Sequence, residues 1–311
     1  MNNSPYSVEV SNLTVRFKNF VAVDHIQFKV KRGEIFGFLG ANGAGKTTTI
    51  RVLCGLLIPT EGEVHIAGYD LKTQVEPIKS SVGYMSQKFT LYNDLTIQEN
   101  LEFKASLRKL DPTYSKKRIQ ELFEFIDFNY STSVLVRELP AGIKQQLSLA
   151  ASILHDPEII FLDEPTAGVN PVVRIKFWNL IQKLSQAQKT IFVTTHYMDE
   201  AEQCHRIALM RSGRIVALDT PENLKKIAFP HSIFEVSVLA ATTPPSTWIT
   251  DLKQLSSIES LQPFGRRYHL VVKNLEEFET QIAPFRSFLN LNLIPPALED
   301  VFVHFSEGTS I

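Results

Sequence analysis

Residues 35–52 constrain this chain more than any other stretch: Ile35-Phe36-Gly37-Phe38-Leu39-Gly40-Ala41-Asn42-Gly43-Ala44-Gly45-Lys46-Thr47-Thr48-Thr49-Ile50-Arg51-Val52. An apolar, strand-like run stops at Gly40, a glycine-studded turn follows, and a helical pattern opens at Lys46. In this strand–loop–helix setting the G-x-x-x-x-G-K-[ST] pattern forms a phosphate cradle. Gly40, Gly43 and Gly45 are expected to take backbone conformations closed to residues with a Cβ, so that several N–H groups converge on one anion. The helix begun at Lys46 adds its positive end to the same spot. Lys46 suits the β- and γ-phosphates, and the Thr47 hydroxyl suits one Mg²⁺ position. Together these features imply binding of a nucleoside triphosphate.

The bulk of the chain sets limits around that site. Its 311 residues suit one large domain and a smaller one, with 44% hydrophobic and 21% charged residues as in ordinary globular proteins. A net charge of −1 gives no global basic field for nucleic acid or an anionic membrane, so no nucleic-acid partner is expected. Clusters such as Lys116-Lys117-Arg118 and Arg266-Arg267 read as solvated faces. Cys54 and Cys204 are far apart and lack metal-ligand spacing, which favours a reducing compartment over a disulfide framework. The polar start, Met1 to Ser7, lacks the apolar segment of a signal peptide. No apolar run approaches the ~20 residues needed to span a bilayer, so any membrane crossing falls to another chain.

Two to three strands are expected between Val8 and Val30, and Arg32-Gly33 turns into the strand before the phosphate loop. The helix after the loop should reach Leu56, Glu63–Ala67 should be a strand, and Gly68-Tyr69-Asp70 a turn. A strand-like run from Ser81 to Ser86 delivers Gln87 at its C-terminal end. Helical spacing then fills 95–135, broken at Asp111-Pro112. Pro140 fits the first position of a helix that runs through Leu154. The run Ile159-Ile160-Phe161-Leu162 reads as a buried parallel strand, handing Asp163 and Glu164 to the sheet edge where ligands bind in open α/β folds. A second such strand, Thr190 to Thr194, places Thr195-His196 at the same edge. A short helix then precedes a hairpin around Ser212-Gly213. Past a linker at Phe229-Pro230-His231 the pattern turns to β-α-β-β-α-β with a closing helix, a ferredoxin-like order without a titratable constellation.

Taken in order, the phosphate loop, Gln87, the helix start at 139–147, Asp163-Glu164 and His196 resemble the ATP-binding cassette (ABC) transporters over about residues 6–228. The resemblance implies an α/β P-loop NTPase fold of ABC type over residues 1–228, with a helical subdomain at 88–140. Residues 229–311 would form a small α+β ferredoxin-like regulatory domain. It implies ATP and Mg²⁺ as ligands. Gly40, Ala41, Asn42, Gly43, Ala44, Gly45, Lys46, Thr47 and Thr48 match the Walker A motif, and Phe17 the aromatic that stacks on adenine. Thr47, Gln87 and Asp163 match the Mg²⁺ site, Glu164 the base for the attacking water, and His196 the switch residue on the γ-phosphate. Gly142 matches the signature glycine, which acts on the nucleotide of a second, facing domain in a homodimer or heterodimer. Thr195-His196-Tyr197-Met198-Asp199-Glu200-Ala201-Glu202 and the tail Pro296-Ala297-Leu298-Glu299-Asp300-Val301-Phe302 are similar to daunorubicin-resistance-type exporters. In those exporters the permease is a separate chain, which implies a peripheral position on the cytoplasmic face of the membrane. Two departures stand out. Leu139-Pro140-Ala141-Gly142-Ile143 replaces the usual Leu-Ser-Gly-Gly-Gln, and Asn170 replaces the usual aspartate of the D-loop. A catalytically weak regulatory subunit paired with a hydrolysing partner is the alternative these departures leave open.

Overall fold

The computed structural model describes residues 4–230, 232–240 and 242–306, so His231 of the expected linker lies outside the described residues. Two compact units divide between Thr220 and Pro221. The first opens with β1 (Tyr6–Phe17), β2 (Phe20–Lys31), β3 (Ile35–Leu39), α1 (Lys46–Leu53), β4 (Glu61–Ile66) and β5 (Tyr69–Asp70). It continues with α2 (Val75–Ser81), β6 (Val82–Met85), α3 (Ile97–Leu107), α4 (Pro112–Phe125), α5 (Ala141–Ser152) and β7 (Ile159–Asp163). It closes with α6 (Pro171–Gln186), β8 (Thr190–Thr195), α7 (Met198–Ala201), β9 (Arg206–Arg211) and β10 (Arg214–Asp219).

Among the described residues of this unit, the strands form two sheets, β2-β1-β4-β5 and β10-β9-β3-β8-β7-β6. The first is antiparallel, and Ile26, Phe28 and Val30 of β2 point inward at every second position. Tyr69-Asp70, expected as part of a turn, instead pairs with β4. In the second sheet β9, β3, β8, β7 and β6 run parallel, with β10 antiparallel on the edge. Every residue of β3, β7 and β8 is buried; β3 and Ile159–Leu162 of β7 are accordingly apolar throughout, while the threonines of β8 bury hydrogen-bonded hydroxyls. Between the sheets Phe28, Phe36, Phe38, Phe161 and Phe192 make ring contacts with centroids 4.8–6.1 Å apart. Truncating one such ring to alanine costs about 3–5 kcal/mol.

Local chemistry sets the helix ends. α1 stops at Leu53, short of the expected Leu56, because Gly55 adopts φ 67° and ends it. Leu56 N–H then donates to Arg51 C=O and Gly55 N–H to Val52 C=O, the paired bonds of a Schellman motif. α2 was not among the expected elements, and Pro77 falls in its first turn. Proline is tolerated there because first-turn N–H groups have no intrahelical partner. α3 carries a reciprocal capping box between Thr96 and Glu99, and α4 is capped by Asp111 with Pro112 in the first turn. Fully buried Asn100 donates to Tyr92, Leu95 and Thr96 carbonyls and accepts Tyr92 N–H, fixing the segment between β6 and α3.

The second unit holds α8 (Pro221–Ala228), β11 (Ser232–Val238), α9 (Trp248–Lys253), β12 (Ile258–Phe264) and β13 (Arg267–Val272). α10 (Leu275–Gln281), β14 (Leu289–Ile294) and α11 (Leu298–Ser306) complete it. The antiparallel order β12-β13-β11-β14, with α9 and α10 as crossovers, has ferredoxin-like topology. Val236, Trp248, Leu252, Leu270 and Phe278 form its core. α8 packs with α11, and buried Leu224, Leu298, Val301 and Phe305 belong to these two helices. Asp300 gives the tail motif a local reason: one carboxylate oxygen takes Ala297 N–H at α11, and the other meets His269 Nδ1 of β13 at 2.5 Å.

Candidate active site

The parallel sheet sets the site. β3, β6, β7 and β8 all point their C-terminal ends the same way, so the phosphate loop, Gln87, Asp163-Glu164 and His196 emerge along one edge. Register makes this concrete: Leu39 lies opposite Thr195, Asp163 opposite Thr194, and Met85 opposite Leu162. An edge of this kind is where open α/β sheets take ligands.

Within the loop the three glycines do different work. Gly43 and Gly45 have φ of 82° and 106°, the left-handed region that favours glycine. Gly40 has no positive φ, contrary to expectation. A Cβ there would sit 2.4 Å from the Met210 carbonyl, so close backbone approach is its reason. Gly213, in the β9–β10 turn, donates its N–H to Ala44 C=O at 3.0 Å and fastens the loop to that hairpin. Ala41 and Asn42 are exposed, whereas Thr47 and Thr48 are half-buried at the start of α1.

Lys46 is buried, and its Nζ donates to Gly40 C=O at 2.7 Å and Ala41 C=O at 3.1 Å. It also forms an ion pair with Glu164 Oε1 at 3.8 Å, too long for a hydrogen bond. Burial pushes the Lys46 ammonium below the usual lysine range, and the carboxylates of Glu164 and Asp163 oppose that shift. Thr47 donates its hydroxyl to Asp163 Oδ1 at 3.1 Å. Thr194 donates to the same oxygen at 2.7 Å and also accepts the Glu164 N–H at 2.8 Å. Thr194 was not among the expected residues; in a run of threonines and apolar residues nothing distinguishes it until strand register sets it beside Asp163.

Glu164 is the centre of the arrangement. It is buried and takes φ 47°, a strained conformation for a residue with a Cβ. Its Oε2 accepts from Gln87 Nε2 at 3.0 Å and lies 3.4 Å from His196 Nδ1. Lys46, Thr47, Gln87, Asp163, Glu164 and His196 are therefore one connected cluster. Phe17 and Gly142 lie outside that hydrogen-bonded cluster. Phe17 is 47% exposed at the end of β1. Gly142 lines a groove with Pro140, Gly168 and Asn170, and a Cβ on it would meet both Val173 methyls at 2.8 Å.

Two details correct the local reading of the signature region. Pro140 is the cap of α5 rather than its first residue, with ψ 150° and no side-chain bond to the helix N–H groups, and α5 ends at Ser152 before Leu154. Asn170 caps α6 by accepting Val173 N–H at 3.0 Å. Asparagine and aspartate are equally good at this task, so the exchange leaves the local fold unharmed.

The chain is similar to several known proteins. The ABC transporter family model matches residues 23–167. The probable multidrug ABC transporter ATP-binding protein YbhF of Escherichia coli (strain K12) is 46% identical over 218 residues, covering 70% of this chain and 38% of that protein. The chain thus spans well under half the length of that relative. The Nod factor export ATP-binding protein I of Neorhizobium galegae is 31% identical over 307 residues, covering 98% of this chain and 86% of the relative. Among solved structures, an ATP-binding subunit of an ABC transporter aligns with a TM-score of 0.64 and 26% identity, over 71% of this chain and 92% of that one. A dimeric post-hydrolysis state of the ATP-binding cassette MJ0796, bound to ADP and Pi, aligns with a TM-score of 0.63 and 25% identity, over 68% and 98%. Phosphate loop, acidic strand end and His196 on one sheet edge, joined to these likenesses, lead to one conclusion: the chain belongs to the ATP-binding cassette transporter family.

Proposed function

We propose that this chain binds and hydrolyses ATP to power a separate membrane permease, and that it exports drugs or other hydrophobic compounds. One observation carries the hydrolytic part: Lys46, Gln87 and His196 converge on the Glu164 carboxylate. Phosphoryl transfer needs neutralised charge and a positioned water more than covalent chemistry. Lys46 would exchange the Gly40 and Ala41 carbonyls for phosphate oxygens and release Glu164 Oε1. That oxygen then accepts the water proton, while Gln87 and His196 orient the carboxylate. The loop amides from Gly40 to Thr48 hold the phosphates, and half-exposed Phe17 offers a face for the adenine.

Thr47, Gln87 and Asp163 would hold Mg²⁺. The fit rests on donor chemistry: a hydroxyl and a buried carboxylate oxygen lie 3.1 Å apart, hard oxygens of the kind Mg²⁺ takes alongside phosphates. When bound, the ion would supply positive charge that offsets the charge on the phosphates. No helix among the described residues is long and apolar enough to cross a membrane. On this reading the chain is a peripheral subunit on the cytoplasmic face, held there by its permease and facing a second ATP-binding domain. The second unit, expected from the sequence at residues 229–311 and beginning with α8 at Pro221, would act as a regulatory domain. Multidrug transport is in the name of the Escherichia coli relative, and export in that of the Neorhizobium galegae one.

A second reading is favoured by the bare helix start at Pro140, which offers no hydroxyl to the facing site. On this reading the chain binds ATP and dimerises while a partner with a complete signature completes the hydrolytic site. ATPase rates of the purified chain alone and with permease-containing membranes separate the two. Turnover that rises with the permease supports the first; turnover absent in both supports the second.

A further inference from the structure

Glu200 lies next to the site but takes no part in the proposed chemistry. It is a fully buried carboxylate on α7, and its two oxygens serve different segments. Oε1 accepts the Thr166 hydroxyl, two residues past Glu164. Oε2 accepts the Thr195 hydroxyl at 2.7 Å, one residue before His196. Thr195 Oγ1 in turn accepts Tyr197 N–H at 3.0 Å, so His196 is bracketed on both sides. Arg174, at the start of α6, supplies the opposite charge: its Nε is 3.3 Å from Glu200 Oε1, and its guanidinium covers the Tyr197 ring at 4.0 Å.

We infer that Glu200 is a positioning residue that ties the turn after Glu164 to the loop carrying His196, setting the two groups that handle the attacking water relative to each other. Burying a carboxylate is expensive, and an apolar replacement of similar volume is often neutral or stabilising. Its place between two site segments, with each oxygen assigned to one, gives a geometric reason for having an acid there. A misplacement of ~1 Å in such a pair is worth roughly 100-fold in rate. The inference rests on the proposed roles of Glu164 and His196.

The test is steady-state ATPase of the full chain carrying Glu200→Gln, Thr166→Val and both together, with melting temperature as a control. Glu200→Gln should fold, lower kcat by about 10–100-fold and leave KM for ATP within about twofold. The double variant should be no slower than the slower single one, because both changes break the same link. Wild-type kcat in folded Glu200→Gln, a rise in KM with kcat intact, or losses that multiply would overturn the inference. A purely structural acid would change melting temperature and leave kcat per folded molecule alone. Should Glu200→Gln not fold, the near-isosteric Thr166→Val and Thr195→Val replace it: lowered kcat in both supports the link, and wild-type kcat in both removes it. Glu164→Gln in the same assay separates the two levels. Retained turnover there rejects the proposed base itself, whereas an inactive Glu164→Gln beside a fully active Glu200→Gln rejects only the tie.

Discussion

Gln87 donates its side-chain amide to Glu164 across 3.0 Å, although 77 residues separate them in the chain. The contact joins the end of β6 to the end of β7, neighbouring parallel strands. Gln87 lies just past β6, ahead of α3 in the chain. Lys46 approaches the other oxygen of the same carboxylate. One oxygen of Glu164 thus holds a hydrogen bond and the other faces an ammonium at ion-pair distance.

Lys46→Ala is expected to abolish MgATP binding. The side chain is the buried ammonium at the loop, and the change removes its charge together with its bonds to Gly40 and Ala41. Titration calorimetry decides: unchanged affinity in a folded variant would refute the assignment of the phosphate site.

The altered signature should slow a homodimer. Losing one preorganised donor at a transferring phosphoryl costs ~3–4 kcal/mol, or about 10²–10³ in rate. The α5 dipole returns less, on the order of 1 kcal/mol. Pro140→Ser, Ala141→Gly and Ile143→Gln together should therefore raise basal ATPase. A triple variant that folds and dimerises yet hydrolyses no faster would mean that the Ala141 and Gly142 amides already suffice.

Stability should fall with acid through His155. Burial, with the Arg108 charge adding to it, lowers its pKa from 6.5 to about 4, and the neutral ring lies 2.9 Å from the Val82 carbonyl. The unfolded chain binds this proton below about pH 6.5 while the folded chain resists it until about pH 4, so stability is lost as pH falls across that window. Urea melts at pH 7, 5.5 and 4.5 should show a steeper loss for the native chain than for His155→Gln. Parallel losses would show that His155 is not responsible.

How much the sequence disclosed depends on how much structure a local pattern encodes. Ile159–Leu162 and Ile35–Leu39 are legible because a strand covered on both faces must be apolar throughout, and the residues just past its C-terminal end sit on the ligand edge. The β-α-β-β-α-β order of the second unit is legible for a similar reason, since its strands and helices alternate in period. α2 was not, because seven residues with a proline among them carry too little helical period to stand out. Gly40 was identified for the wrong reason: its constraint comes from the Met210 carbonyl, some 170 residues away in sequence. Thr194 and Glu200 act through partners about 30 residues distant, and pairings of that range exist only once strand register is fixed. Pro140 shows the reverse case. Its departure from the family pattern is plain in the sequence, while its role as a bare cap requires the backbone angles.

Glu164→Gln tests the central claim most directly, through ATP turnover of the full chain together with its oligomeric state in ATP. The substitution keeps the shape that Gln87 and His196 contact and removes the basic oxygen. Turnover should drop about 10²–10⁴-fold, the usual worth of a positioned general base, with ATP affinity retained. An ATP-bound dimer should accumulate on size exclusion, because closure no longer resolves by hydrolysis. Normal turnover, with only monomer present in ATP, would contradict Glu164 as the base and with it the proposed mechanism.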